Sequence, residues 1–181
     1  MRLFVSINPP DEIRKSLAEF ERYFKGGPLR FTKPDHIHIT LCFIGWTDDG
    51  KVLEIKKILE KITGEYKPFK LVLKNITLGP LNTRPKMVWA NCQINPELLN
   101  LQKDIGQSLK PYCAKEDNYK GYNPHLTLAR CEKGKERNLK EFKSFNYNLE
   151  LEFPVAHIYL MKSNLKKSGS EYSIVKEFSL M

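Results

Sequence analysis

With 181 residues, 41% of them hydrophobic and 28% charged, the chain has the make-up of one globular domain, or of two intimately packed half-lobes, long enough to bury a core without staples. Its formal charge of +9 is spread along the chain, 16 basic and 10 acidic residues in 1–90 against 14 and 11 in 91–181, so the excess is not confined to a basic tail. Such a field favours an anionic partner such as RNA, and a solvated lysine-rich surface would carry the same charge. No apolar stretch approaches the ~20 residues of a membrane span, and the opening MRLFVSINPPDE holds too short an apolar run for a secretion signal, so a soluble, cytoplasmic protein with no membrane association is expected.

In chain order, residues 2–8 read as a strand. Asp11 opens a helix whose inward face is Ile13, Leu17, Phe20 and Phe24, ended by Gly26-Gly27. Residues 36–44 (HIHITLCFI) form a strand, and Thr47-Asp48-Asp49 precede a second helix with Val52, Ile55, Leu59 and Ile62 inward and Gly64 at its end. Two strands, 68–79 and 86–94, flank the turn GPLNTRP. Asn95-Pro96 cap and open a third helix, with Leu98, Leu101, Ile105 and Leu109 on one face and Pro111 past its end. Residues 124–131 form another strand, the lysine-rich stretch 135–145 a short helix with Leu139 and Phe142 inward, and 149–163 and 171–179 the closing strands.

Mixed helices and hairpin-like strands give an α+β class with mainly antiparallel sheets. The four cysteines, Cys42, Cys92, Cys113 and Cys131, show no metal-ligand spacing, and three sit in apolar or strand-like runs, which suits buried, reduced thiols.

One pattern repeats. His38-Ile39-Thr40-Leu41 and His125-Leu126-Thr127-Leu128 stand 87 residues apart, close to half the chain. With four histidines, seven threonines and 22 leucines, shuffled composition would place two such hits on the order of once in ten thousand sequences. A lone strand histidine beside a threonine is ordinarily structural. Its duplication argues for two lobes related by a pseudo-twofold axis, one copy on each side of a shared groove.

In a strand, residues i and i+2 share a face. Each motif then presents an imidazole and a hydroxyl side by side, while Ile39 and Leu41, or Leu126 and Leu128, anchor the opposite face. Two imidazoles and two hydroxyls around a small anion suit a phosphodiester. One imidazole takes a proton from water, the other gives one to the leaving oxygen, and the hydroxyls donate to phosphate oxygens as charge builds. An ordinary imidazole pKa near 6.5 makes both forms available near neutrality, so a bell-shaped pH dependence at slightly acidic to neutral pH is expected.

His36 alternates with His38, a spacing that zinc also uses. A third ligand would have to come from His125 or His157, and no carboxylate motif supports one. We therefore expect no metal, His36 as a peripheral group on the same face, and a structural His157. Arg130 follows the second motif. Strict alternation puts it on the face opposite His125 and Thr127, unless the strand ends or bulges.

The sequence resembles the 2H phosphoesterase superfamily, named for its two HxT motifs, and within it the RNA 2′,3′-cyclic phosphodiesterase (2′-5′ RNA ligase) family. The resemblance covers nearly the whole chain and rests on RLFVSINPP, DHIHITLCFIG, RPKMVWA, NPHLTLAR and the tail LMKSNLKKSGSEYSIVKEFSL, similar to the family's closing Ser…Gly-x-x-Tyr strand pair. It implies a bilobal α+β fold over 1–181, with the motif strands lining a central cleft and the helices outside. It implies hydrolysis of a terminal 2′,3′-cyclic phosphate to a 2′-phosphate without metal or nucleotide cofactor; RNA is the expected partner and a monomer the expected unit. By the same resemblance His38 is the proton donor and His125 the proton acceptor, Thr40 and Thr127 hold the phosphate, and Arg130 joins the phosphate or nucleotide site. The family pattern departs at Cys131 and at Phe178, where relatives often carry tryptophan. Run backwards, the reaction would join RNA ends through a 2′-5′ bond. Two rivals stand beside this expectation: a related 2H enzyme acting on a small cyclic phosphate or a 2′-5′ oligonucleotide, and a non-catalytic module that binds an RNA end.

Overall fold

The computed structural model describes residues 1–24, 27–80, 85–113, 121–135, 139, 145–166 and 169–181. In chain order the described elements are β1 (Arg2–Ile7), α1 (Asp11–Ala18), β2 (Leu29–Phe31), β3 (Ile39–Trp46), α2 (Asp49–Thr63), β4 (Phe69–Gly79), β5 (Met87–Cys92), α3 (Pro96–Leu109), β6 (His125–Cys131), β7 (Asn146–Val155), β8 (His157–Lys166) and β9 (Gly169–Ser179).

The strands form one antiparallel sheet in the order β7-β4-β5-β6-β3-β1-β8-β9, with β2 laid against the end of β6. Its symmetry is visible in that order. β6, β5, β4 and β7 on one side answer β3, β1, β8 and β9 on the other, and β5-α3-β6 repeats β1-α1-β3. The halves meet at the two motif strands, where the ladder records a single pair, Ile39 with Leu126. A seam this thin lets the halves diverge and leaves a cleft between β3 and β6.

The helices are amphipathic and bury one face. Val52, Ile55, Leu59 and Ile62 of α2 and Leu98, Leu101, Ile105 and Leu109 of α3 are all buried, as the sequence spacing predicts. Asn95 caps α3 by accepting from the Leu98 amide at 2.8 Å, so one of the orphan donors of the first turn is met. Ile39, Leu41, Leu126 and Leu128 join the same core. The motifs are thus anchored from behind.

Four expectations change. The first helix stops at Ala18 and continues as a 3₁₀ turn, Glu19–Phe24, a tighter winding that still seats Phe24 in the core; Gly26 lies outside the described residues. The strand expected over 36–44 begins only at Ile39, because Pro34 opens a 3₁₀ turn, Pro34–His36. The strand expected over 149–163 is two strands broken at Ala156, since the chain there leaves β4 in one half to pair with β1 in the other. β2 had no counterpart in the sequence reading, its three residues being too few to show a period. In the lysine-rich stretch Leu139 is buried, while Phe142 lies outside the described residues. No helix among the described residues is long and apolar enough to cross a membrane.

Candidate active site

Both motif strands bulge at the same place. The β1–β3 register passes from Val5–Cys42 to Ser6–Thr40, leaving Leu41 over, and the β5–β6 register passes from Val88–Ala129 to Trp89–Thr127, leaving Leu128 over. Each extra residue is the leucine of its His-x-Thr-Leu. A bulge lets two successive side chains face the core, Leu41 with Cys42 and Leu128 with Ala129, and resets the alternation. The carbonyl of Leu41 accepts from Gln102 Nε2 of α3 at 3.3 Å, which satisfies a backbone group the bulge displaces.

The consequence for Arg130 is direct. The bulge at Leu128 turns its side chain to the face of His125 and Thr127, where unbroken alternation would have kept it away. The pseudo-symmetric position in the other half is Phe43. Arg130 and Phe43 therefore occupy equivalent positions in the cleft between the halves.

That cleft has a volume of about 440 Å³. His38, Thr40, His125, Thr127 and Arg130 all line it, so the structure brings together every site residue expected from the sequence. His36 lines it too, from its 3₁₀ turn, whereas His157 does not; its Nδ1 lies 3.3 Å from Ser179 Oγ on the β8–β9 edge. Sequence reasoning missed Arg2, Arg30, Phe4, Trp89 and Phe43. Tyr172 and Ser163, register partners on β9 and β8, belong to the Ser…Gly-x-x-Tyr signal of the tail.

The two imidazoles are held by the same device. His38 Nδ1 donates to the carbonyl of His36 at 2.7 Å, and His125 Nδ1 donates to the carbonyl of Asn123 at 2.8 Å, each two residues back. A carbonyl can only accept, so Nδ1 carries the hydrogen in both rings and Nε2 is the atom left to exchange a proton. Tyr122, just ahead of the second motif, donates to the Thr40 carbonyl at 2.9 Å and ties the motifs to each other.

Aromatic rings fix the planes. His125 stacks on Trp89, with ring centroids 3.9 Å apart and 23° between planes. His38 lies against Phe4 at 4.9 Å and meets Tyr172 edge-on at 5.2 Å. Trp89 can lie flat because Gly79 is behind it; a Cβ there would sit 2.2 Å from the indole.

Both histidines are held below the ordinary imidazole range. Burial pulls His38 down to about 4, against the His36 carbonyl, which favours the charged ring, and with the Arg130, His36 and His125 charges adding to the fall. His125 is lowered by burial first, opposed by the Asn123 carbonyl and assisted by Arg130. The free site is therefore poised neutral. An anion between Arg130 and the rings would reverse the Arg130 contribution.

Among the described residues no group of three His, Cys, Asp or Glu is placed to hold a metal ion, and no carboxylate lines the cleft. The cysteines stand outside the cleft, and burial pushes the Cys92 thiol up to about 12.

Comparison with known proteins fits this architecture. Residues 9–167 match the family model of the 2′-5′ RNA ligase superfamily. The RNA 2′,3′-cyclic phosphodiesterase of Methanocaldococcus jannaschii is 30% identical over 98% of this chain and 100% of its own, and that of Archaeoglobus fulgidus 26% identical over 98% and 99%. A solved structure from Thermus thermophilus superposes with a TM-score of 0.84 at 23% identity, covering 99% of this chain and 98% of its own. E. coli LigT complexed with 3′-AMP gives 0.76 at 22% identity, covering 99% and 97%.

Proposed function

Because the chain belongs to the 2′-5′ RNA ligase superfamily, we propose that it hydrolyses the terminal 2′,3′-cyclic phosphate of RNA to a 2′-phosphomonoester, with His38 and His125 as acid and base. The observation that carries this reading is the matched pair of imidazoles, each with Nδ1 tied to a backbone carbonyl, in a cleft that also holds Thr40, Thr127 and Arg130 and no carboxylate among the described residues. In the proposed reaction His125 Nε2 takes a proton from water, and the oxygen attacks phosphorus. His38 Nε2 gives its proton to the departing 3′ oxygen, so the 2′-phosphate stays on the sugar. Arg130 and the two threonine hydroxyls meet the charge that builds on the non-bridging oxygens. The reverse reaction, joining a 2′-hydroxyl to the cyclic phosphate, uses the same groups in the opposite order. Both motifs come from one chain, which supports residues 1–181 as one bilobal domain acting as a monomer.

The proposal is tested by incubating the protein, with chelator present, with an oligonucleotide ending in a cyclic phosphate and with a mononucleoside cyclic phosphate. Opening to a 2′-phosphate is expected. Binding without turnover would instead support an RNA-end-binding module, and activity abolished by chelator and restored by zinc would overturn the mechanism.

Thr40→Val and Thr127→Val keep shape and remove a donor aimed at phosphate. Each is expected to lower transition-state stabilisation by about 1–3 kcal/mol with the melting curve unchanged. Unchanged kcat/KM in both variants would place the hydroxyls outside the reaction.

Gly79→Ala puts a methyl group where the Trp89 indole lies, and the ring in contact on the indole's other side is His125. Lower activity with a shifted pH profile is expected, and Gly79→Ala combined with Trp89→Leu, which makes room for the methyl, should behave like Trp89→Leu alone. A Gly79→Ala enzyme with wild-type rate and profile would show that the stack does not orient His125.

A further inference from the structure

The cleft carries more positive charge than the proposed reaction uses. Arg2, Arg30 and Arg130 line it. A 2′,3′-cyclic phosphate brings one negative charge, which Arg130, the threonine hydroxyls and one imidazolium already meet. Arg30 is placed beside that set. It alternates on β2 with Leu29 and Phe31, which pack against the core, and the ladder pairs it directly with Arg130. Like charges directly opposite on neighbouring strands repel. No Asp or Glu among the residues lining the cleft relieves them. β2 is three residues long and, among the described residues, pairs only with β6. Its placement sets a second arginine on the strand beside Arg130, whose guanidinium donates to Met87 Sδ at 3.0 Å on the other flank of β6.

Resting on the catalytic reading above, we propose that Arg30, beside Arg130, forms a second phosphate subsite, which takes the 5′-phosphate of the nucleotide whose cyclic phosphate lies between the histidines. Paired residues on adjacent antiparallel strands have Cα atoms about 4.5–5.5 Å apart. Two long guanidinium arms rising from such a pair can grip phosphates separated by one sugar, each through a charge-assisted, forked contact. Arg2 lies in the other half of the sheet, opposite Trp46 at the end of β3, and does not share this position. The subsite makes the enzyme a reader of RNA chains, since a mononucleoside cyclic phosphate lacks the group it holds.

The test compares three substrates: a nucleoside 2′,3′-cyclic phosphate, its 5′-phosphorylated form, and a dinucleotide with the same cyclic end. The wild-type protein is expected to show kcat/KM roughly 10-fold or more higher for the last two. The readout is that ratio, because a general loss of folding or chemistry lowers all three rates and leaves it alone. Arg30→Ala should bring the ratio close to one, Arg30→Lys should leave part of it, and Arg2→Ala should keep it. Equal wild-type rates on all three substrates would overturn the subsite while leaving the catalytic reading standing. A ratio that survives Arg30→Ala, or that Arg2→Ala abolishes, would overturn its assignment to Arg30. A gain confined to the 5′-monophosphate would overturn the RNA-chain assignment. Failure to open any of the three would instead sink the catalytic reading itself.

Discussion

Replacing either histidine by alanine is expected to lower kcat/KM on a cyclic-phosphate-ended RNA by roughly 10²–10⁴-fold, because each substitution removes one of the two proton-transfer partners. The double variant should lose far less than the product of the single losses, since acid and base serve one displacement and neither acts fully without the other. Circular dichroism and melting should change little for His125→Ala, whose ring is partly exposed and stacked on one indole. His38 is packed against both Phe4 and Tyr172, so His38→Gln, which can keep the contact to the His36 carbonyl, guards against mistaking a loosened site for lost chemistry. Multiplicative losses would mean that the two rings work in separate steps.

Arg130→Lys is expected to be nearly as damaging in kind, though smaller. Lysine keeps the charge but loses the planar fork, and the loss of a two-point grip on phosphate should cost about 1.5–3 kcal/mol of transition-state stabilisation, a fall in kcat/KM of roughly 10- to 150-fold. Arg130→Gln removes the charge as well. It carries a second signature, because Arg130 contributes to holding both imidazoles below their ordinary range. Without a neighbouring cation the charged rings are easier to form, so both limbs of the pH profile should move to higher pH. A profile that stays in place while the rate falls would mean that Arg130 acts on substrate alone.

Much of this site is legible in the sequence, because the His-x-Thr-Leu repeat places polar and apolar side chains with a period that a strand fixes. The same period fails at Arg130. Alternation is a rule about an unbroken ladder, and the leucine of each motif is the residue that breaks it. The repetition of HITLCF and HLTLAR at one offset carries the bulge twice, yet nothing in composition or periodicity marks a bulge; only the pairing with β1 and β5 shows it. The family resemblance placed Arg130 in the site without a reason, and the bulge supplies one. Arg30 was out of reach for a different cause, since its strand is three residues long and is held by tertiary pairing with β6. Trp89 and Gly79 stood in plain sight as strand residues of RPKMVWA and GPLNTRP. Their role depends on a cross-strand contact, and a linear reading does not contain it.

The dependence of kcat/KM on pH tests the two-histidine account most directly. One ring must be neutral and the other charged for turnover to begin, so the rate should rise and then fall. An ordinary pair of imidazoles would centre that bell near neutrality. Here burial pulls His38 to about 4 and lowers His125 as well, so the free enzyme's bell should lie on the acid side of 6.5. The profile of kcat should lie at higher pH, because a bound phosphate anion offsets Arg130 and favours the charged rings. The limbs belong to the coupled pair, and single variants assign them. His125→Ala should lose the acidic limb and His38→Ala the alkaline one. Limbs lost the other way round would swap the roles of the two rings, and a flat wild-type profile, measured where chemistry limits the rate, would contradict proton transfer by histidine altogether.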